Sequence, residues 1–271
     1  MRCGTISAPV HSTCCGWCRL GHVAAETLLV RDRSSWKRQL LSAGVVALLL
    51  LVLAIVLFPA IRAARRAARH AQRSNNLKQI YLALCNFDDV YRGLPPAVRS
   101  DEAGRPLCSW RFQILPFVEA MMRQLDFGDR WDDPANRWLI NMFHHIYCWS
   151  PDKNSRGPPC TNVVAITGPG TAFDGDRRIR PDRIPFDTVL AIEIRHSETY
   201  WMEPGDLCVD EVSPSIVQGL ERDGVHVLFA DGAVWFLSAK VPLSDLRKFF
   251  TLEGAKQYDR KEILGPYALS W

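Results

Sequence analysis

Three periodicities divide the chain. From Leu40 to Ile61 all 22 residues are uncharged, and a helix drawn through them is apolar on every side. At about 1.5 Å per residue such a helix is about 33 Å long, close to one hydrocarbon core. A cleaved secretory signal would need a shorter apolar run near the N-terminus and a small-residue cleavage site. Here the run starts at residue 40 and leads into "FPAIRAARRAAR", so a retained transmembrane helix over 39–61 is expected.

The helical period does not stop there. Arg62, Arg65, Arg66, Arg69 and Arg73 recur as one basic stripe. Ala60, Ala64 and Ala68 fall four apart, as do Ala63, Ala67 and Ala71. That spacing permits close helix–helix approach, or simply reflects alanine's helix propensity. Leu77, Ile80, Tyr81, Leu84 and Phe87 then form an apolar stripe suited to docking on a sheet, and "RGLPP" at Arg92–Pro96 ends it. The reading is a helical stem over 62–92 continuous with the membrane segment, one helix of about 50 residues. Residues 1–38 are read as a poorly ordered, cysteine-containing tail.

Beyond residue 93 the period changes to two. "VHVLFADGAVWFLS" places two β-prone runs around Asp231-Gly232. Asp-Gly suits a two-residue type I′ turn, which would oppose Phe229 to Val234, Leu228 to Trp235 and Val227 to Phe236. "VVAIT" (Val163–Thr167) and "TVLAIEI" (Thr188–Ile194) read as further strands, and Trp110–Leu125 as a helix interrupted at Pro116. The expected fold is α+β: a long N-terminal helix packed on a mainly antiparallel sheet, with residues 93–271 as the head. Leu77, Ile80, Leu84 and Phe87 should lie against strands bearing Val227, Phe229, Val234 and Phe236, or against the opposite face with Leu228 and Trp235.

Charge sharpens this division. The net charge of +4 hides +4 in residues 1–61, +6 in 62–78 and −6 in the remainder. Basic flanks suit lipid headgroups, and an acidic head argues against nucleic acid as a partner. Arg31, Arg33, Lys37 and Arg38 precede the apolar run and six basic residues follow it. Positive charge alone slightly favours the C-terminal side inside.

The nine cysteines divide into Cys3, Cys14, Cys15 and Cys18 before the apolar run and Cys85, Cys108, Cys148, Cys160 and Cys208 after it. Cys148 and Cys160 flank "CWSPDKNSRGPPC" and are the pair expected to bridge; buried free thiols are the alternative.

Candidate chemistry is sparse. "GPGTAFDGD" lacks the Lys-Ser/Thr of a phosphate loop, and no Gly-x-Ser-x-Gly or His-Glu-x-x-His stretch occurs. His144 and His145 are adjacent and diverge on a helix. Glu203, Asp206, Asp210 and Glu211 offer oxygen ligands of the kind calcium takes, without EF-hand spacing; a solvated acidic loop is the plainer reading. Cys3, "CCGWC", His11 and His22 are zinc-capable but irregularly spaced. No catalytic, cofactor-binding or metal residue is assigned, and the protein is expected not to be an enzyme.

"LFPAIRAARRAARHAQRSNNLKQIYLALCNFDDVYRGLPP" closely resembles the DUF1559 family of pilin-like, type II secretion pseudopilin-like proteins. "SWRFQILPFVEA", "VVAITGPGTAF", "WMEPGDL" and "VHVLFADGAVWFLS" follow in the family's order, so the resemblance covers about Leu57 to Leu252. It implies a type IV pilin-like fold, a cytoplasmic N-terminus and an extracytoplasmic head on a single-pass protein of the cytoplasmic (inner) membrane. Where the family carries the Gly, Phe and Glu of its prepilin peptidase signal, this chain has Lys37, Arg38 and Ser42; cleavage is not expected. Where the family often carries a His, nine intervening residues and then Asp-Gly, Glu221 stands in the His position. The expected role is structural or interaction-based at the cell envelope, with the bilayer and other pilin-like subunits or a secretion complex as partners. A tethered solute- or ion-binding domain is the alternative, which a concave pocket with convergent polar groups would favour.

Overall fold

The computed structural model describes residues 17–118, 130–136, 138–139, 144–149, 160–195, 197–220 and 223–270, with side chains in the first helix described from Trp36 onward. The chain forms two compact units, one up to Arg65 and one from Arg66.

The first helix, α1 (Trp17–Tyr91), contains Pro59 and begins well before the boundary expected at residue 39. In the first unit its apolar run is exposed all round: Leu40, Leu49, Ile55 and Val56 are each more than 60% exposed. It is the helix among the described residues that is long and apolar enough to cross a membrane.

In the second unit the same helix has one buried face. Leu77 and Ile80 are fully buried and Leu84 and Phe87 nearly so, as the stripe predicts. Arg92 closes the helix: its N–H bonds the Asp88 carbonyl at 2.7 Å while its own φ is +59°, the left-handed conformation common just past a helix end. Gly93 and the two prolines then turn the chain away.

The head has a small hairpin, β1 (Val98–Ser100) with β2 (Pro106–Ser109), followed by two one-turn helices, α2 (Trp110–Gln113) and α3 (Leu115–Val118). The expected break at Pro116 falls instead at Ile114, the C-cap of α2. Pro116 sits in the first turn of α3, where its missing N–H costs no helical hydrogen bond. Residues 119–125 lie outside the described part. A further turn, α4 (His144–Tyr147), precedes the main sheet.

That sheet has five strands in the order β5-β3-β4-β6-β7: β3 (Val163–Thr167), β4 (Val189–Glu193), β5 (Leu207–Cys208), β6 (Gly224–Phe229) and β7 (Val234–Ser238). β3, β4, β6 and β7 pair antiparallel, and β5 joins β3 in parallel. Three short helices close the chain: α5 (Leu243–Arg247), α6 (Leu252–Gln257) and α7 (Arg260–Leu264).

The β6–β7 hairpin exists, but its register differs from the expectation by one residue. Leu228 opposes Val234, Val227 opposes Trp235 and His226 opposes Phe236. The loop holds three residues, Ala230, Asp231 and Gly232, because only Gly232 has positive φ (+81°) and a type I′ turn needs two such residues. The Gly232 N–H bonds the Phe229 carbonyl at 3.0 Å, and the Phe229 N–H bonds Ala233 at 3.0 Å, giving a type I turn followed by a glycine bulge. A Cβ at Gly232 would stand 2.5 Å from Tyr81 of α1, so glycine also allows the turn to press on the stem.

The slip re-sorts the faces, since side chains alternate along a strand. Leu228, with Val234, packs in the cluster that holds Leu77, Ile80, Leu84 and Phe87. Val225, Val227, Phe229 and Leu237, with Trp235, belong to a second cluster with Leu246, Phe249, Phe250 and Leu264. Neither of the two expected residue sets survives whole.

Candidate functional site

Two buried polar assemblies and one cleft concentrate the head's chemistry. The first assembly begins with "SWRF". Ser109 caps α2 by accepting the Phe112 N–H, which fixes the helix turn that carries Arg111 inward. Arg111 is fully buried. Its guanidinium donates to Asp206 Oδ1 at 2.6 Å and to the carbonyls of Trp201 (3.0 Å) and Gly205 (2.9 Å). The same Asp206 oxygen accepts from Trp110 Nε1 at 3.1 Å and from the Ala165 N–H of β3 at 2.8 Å. "SWRFQ", "VVAIT" and "WMEPGDL", far apart in the chain, therefore meet at one carboxylate. A buried pair of this kind persists only when hydrogen bonds compensate for lost hydration.

Asp206 Oδ2 is buried and accepts no hydrogen bond among the described residues. Asp206 also lines an open cleft of about 590 Å³, with Ser100, Pro106, Thr167, Gly168 and Asp176 around it. The cleft thus lies between the β1–β2 hairpin and the "GPGTAFDGD" loop. This is the concave feature that a binding reading requires.

The second assembly joins α1 to the sheet. His226 of β6 is fully buried, and its Nδ1 contacts Glu193 Oε2 of β4, also fully buried. Glu193 Oε1 accepts the Leu220 N–H at 3.0 Å and stands 3.6 Å from the Arg73 guanidinium. His226 Nε2 lies 3.4 Å from His70 Nδ1, and His70 Nε2 lies 3.9 Å from Asp223. Phe236 packs against both imidazoles, with centroids at 4.5 and 4.7 Å. The result is a polar seam running from half-exposed Asp223 to the sheet interior. The sequence reading missed it. The available signal was one polar residue in each of two apolar strands, Glu193 in "TVLAIEI" and His226 in "GVHVLF". Arg73 is not part of an exposed basic stripe; it is buried in this seam.

Asp231 serves the turn and the C-terminus. Its carboxylate accepts from Arg260 at 2.6 and 3.1 Å and from the Ala233 N–H at 2.9 Å. Arg260 lies over the Phe229 and Trp235 rings, 4.4 and 4.9 Å from their centroids. Burial alone would raise the Asp231 carboxyl, but the bonds from Arg260 and Ala233 outweigh it and hold it below the usual range.

The other candidates disperse. Asp206 is committed to Arg111, Glu203 accepts the Tyr200 N–H at 3.1 Å, and Asp210 and Glu211 are exposed. No group of three or more His, Cys, Asp or Glu able to hold a metal occurs among the described residues. His145 is exposed, and its carbonyl accepts from Asn76. Cys3, Cys14, Cys15, His11 and the Glu221 position lie outside the described residues, as do the side chains of Cys18 and His22. The expected bridge between Cys148 and Cys160 does not form. Cys148 is buried in the first core cluster, which pushes its thiol up to about 12, whereas half-buried Cys160 pairs its backbone with Tyr200.

Residues 62–175 match the family model described as "Protein of unknown function (DUF1559)", which bears out the family resemblance over that stretch. No curated protein and no solved structure matches the chain significantly.

Proposed function

We propose that this chain is a single-pass, membrane-anchored, pilin-like envelope protein with a structural or protein-interaction role and no enzymatic activity. One observation carries the reading. Within α1, the run Leu40–Ile61 is exposed on all sides, whereas Leu77, Ile80 and Leu84 are core residues of the head. An all-round apolar surface in water is unfavourable, and a bilayer is the medium that relieves it. The long N-terminal helix and the mainly antiparallel sheet of the head support the pilin-like part. In this reading the N-terminus is cytoplasmic and the head extracytoplasmic in the inner membrane, with pilin-like subunits or a secretion complex as partners. Lys37, Arg38 and Ser42 leave the chain without a peptidase signal and without a carboxylate for subunit pairing.

Carbonate extraction of native membranes tests the anchor. The protein should stay in the pellet, and Leu50→Arg with Leu53→Arg should release it, since each central Arg costs about 2.5–3.5 kcal/mol on insertion. Protease added outside intact spheroplasts should degrade the head, and intact mass should show no new N-terminus near residue 38. Wild-type protein recovered in the supernatant would refute the anchor, and a protected head would refute the orientation.

A further inference from the structure

Arg195 lies just past the end of β4, and among the described residues its charge meets no carboxylate. Its backbone is pinned, because Asn162 Nδ2 donates to the carbonyls of both Ile194 (3.1 Å) and Arg195 (3.2 Å). Its side chain makes no hydrogen bond or ion pair with any described residue, and its terminal nitrogen NH1 is sealed from solvent without an acceptor. Arg195 is half-buried; the fully buried arginines Arg73, Arg111 and Arg260 all face carboxylates.

A guanidinium N–H removed from water without an acceptor is unfavourable, and such a group in a folded protein calls for a partner. Arg195 also lines open space. A cleft of about 240 Å³ is lined by Arg195, Ser213, Ser215 and Gln218 over a floor of Ile194 and Ile216. None of its lining residues is acidic. The carboxylate nearest in sequence, Glu193, is already engaged by His226, Arg73 and the Leu220 N–H. The two serine hydroxyls bond each other at 3.1 Å and can turn toward a guest. The planar guanidinium fork matches two oxygens of one oxyanion, and hydroxyls and a carboxamide complete its shell.

We propose that this cleft binds the phosphate- or carboxylate-type oxyanion of a small soluble solute, with Arg195 as the charged anchor and Ser213, Ser215 and Gln218 as neutral hydrogen-bond partners. The site lies wholly within the unit from Arg66 onward, so it stands whether or not the first unit spans a membrane. Because the head is net acidic, recognition is local: the anion meets one cation in a pocket rather than a positive field.

Isothermal titration of the full-length protein in neutral detergent tests this, with inorganic phosphate, sulfate and acetate as probes at fixed ionic strength. At least one should saturate at one ion per chain, with chloride failing to compete. Arg195→Gln should weaken that binding roughly tenfold or more, and Arg195→Lys, which keeps the charge but loses the fork, should fall between. Ser215→Ala, at an exposed position, should weaken it a few-fold while the thermal melt stays at the wild-type midpoint; Ser213→Ala, which also removes the cap of the turn at Pro214–Gln218, should weaken it at least as much. Absence of saturable binding for all three probes would overturn the proposal. So would binding that survives Arg195→Gln, or that the serine variants leave unchanged.

Discussion

The two faces of the central sheet are buried by different means. The face toward α5, α6 and α7 meets them through Val225, Val227, Phe229, Leu246, Phe249 and Phe250, with Arg260 and its carboxylates at the margin. The face toward α1 has an equally apolar centre in Leu77, Ile80, Leu84 and Leu228, but it also encloses Glu193, His226, His70 and Arg73. Apolar contact is non-directional and tolerates sliding. A hydrogen-bonded seam does not, because a helix shifted by one turn would leave a carboxylate and a guanidinium buried without partners. The difference teaches how a long helix, free to slip along its own axis, is held to one register: on the α1 face the apolar centre supplies adhesion and the polar seam adds position.

Removing the cover of the stem face should have the largest effect. A fragment of residues 66–271 should melt cooperatively, and one of residues 93–271 should lack a cooperative transition by circular dichroism. If the shorter fragment melts at the same midpoint, the stem face contributes nothing and the comparison fails.

Next comes the seam. Glu193→Ala should destabilise the head by about 3–5 kcal/mol in denaturant melts, the cost of leaving buried partners uncompensated. Replacing Glu193, His226 and Arg73 together by apolar residues of similar volume should recover much of that loss. Recovery of stability with altered docking, read by crosslinks between α1 and β6, would sharpen the division between adhesion and position. A cost for Glu193→Ala below that of a surface change would break it.

The apolar centres should be equivalent. Leu84→Ala on one face and Leu246→Ala on the other should each cost about 2–5 kcal/mol. A difference between them much larger than that spread would show that the faces differ in packing as well as in polarity.

The smallest effect is expected at the margin. Asp231 titrates below its unfolded value, so the stability it contributes is present above the unfolded carboxylate range and is lost as pH falls through the folded pKa. Asp231→Asn should flatten that acid limb of the stability curve while changing neutral-pH stability less than Glu193→Ala. An unchanged acid limb would remove Asp231 from the account.

Much of the fold is legible in the residues. The stripe Leu77, Ile80, Leu84, Phe87 shows because a 3.6 period over several turns has few alternative readings. The strands at Val163 and Val189 show because short β-branched runs are bounded by turn residues. The hairpin register does not show, because Asp-Gly can fill both central positions of a two-residue turn or the last two of a three-residue one, and packing of Gly232 against Tyr81 accompanies the second. The seam is hidden for another reason: a polar residue in a strand ordinarily signals the solvent side, and only three-dimensional proximity reveals that Glu193 and His226 satisfy each other. Arg111 and Asp206 sit in separate motifs whose meeting has no local signature. Arg195 resembles any surface arginine until its lack of a partner is seen.

The seam also sets a schedule. His70 and His226 are 156 positions apart. At elongation rates of about 5–20 residues per second, about 8–30 s separate the synthesis of the two imidazoles. Until the end of that interval the stem helix lacks β6 and β7, whose Leu228 and Val234 complete the cover of Leu77, Ile80, Leu84 and Phe87. Its greasy stripe is then the part of the newborn chain open to holdase chaperones or to like chains on neighbouring ribosomes. A slow codon run placed just before β6 would lengthen this window, and a faster one would shorten it, with no change in any contact of the finished protein.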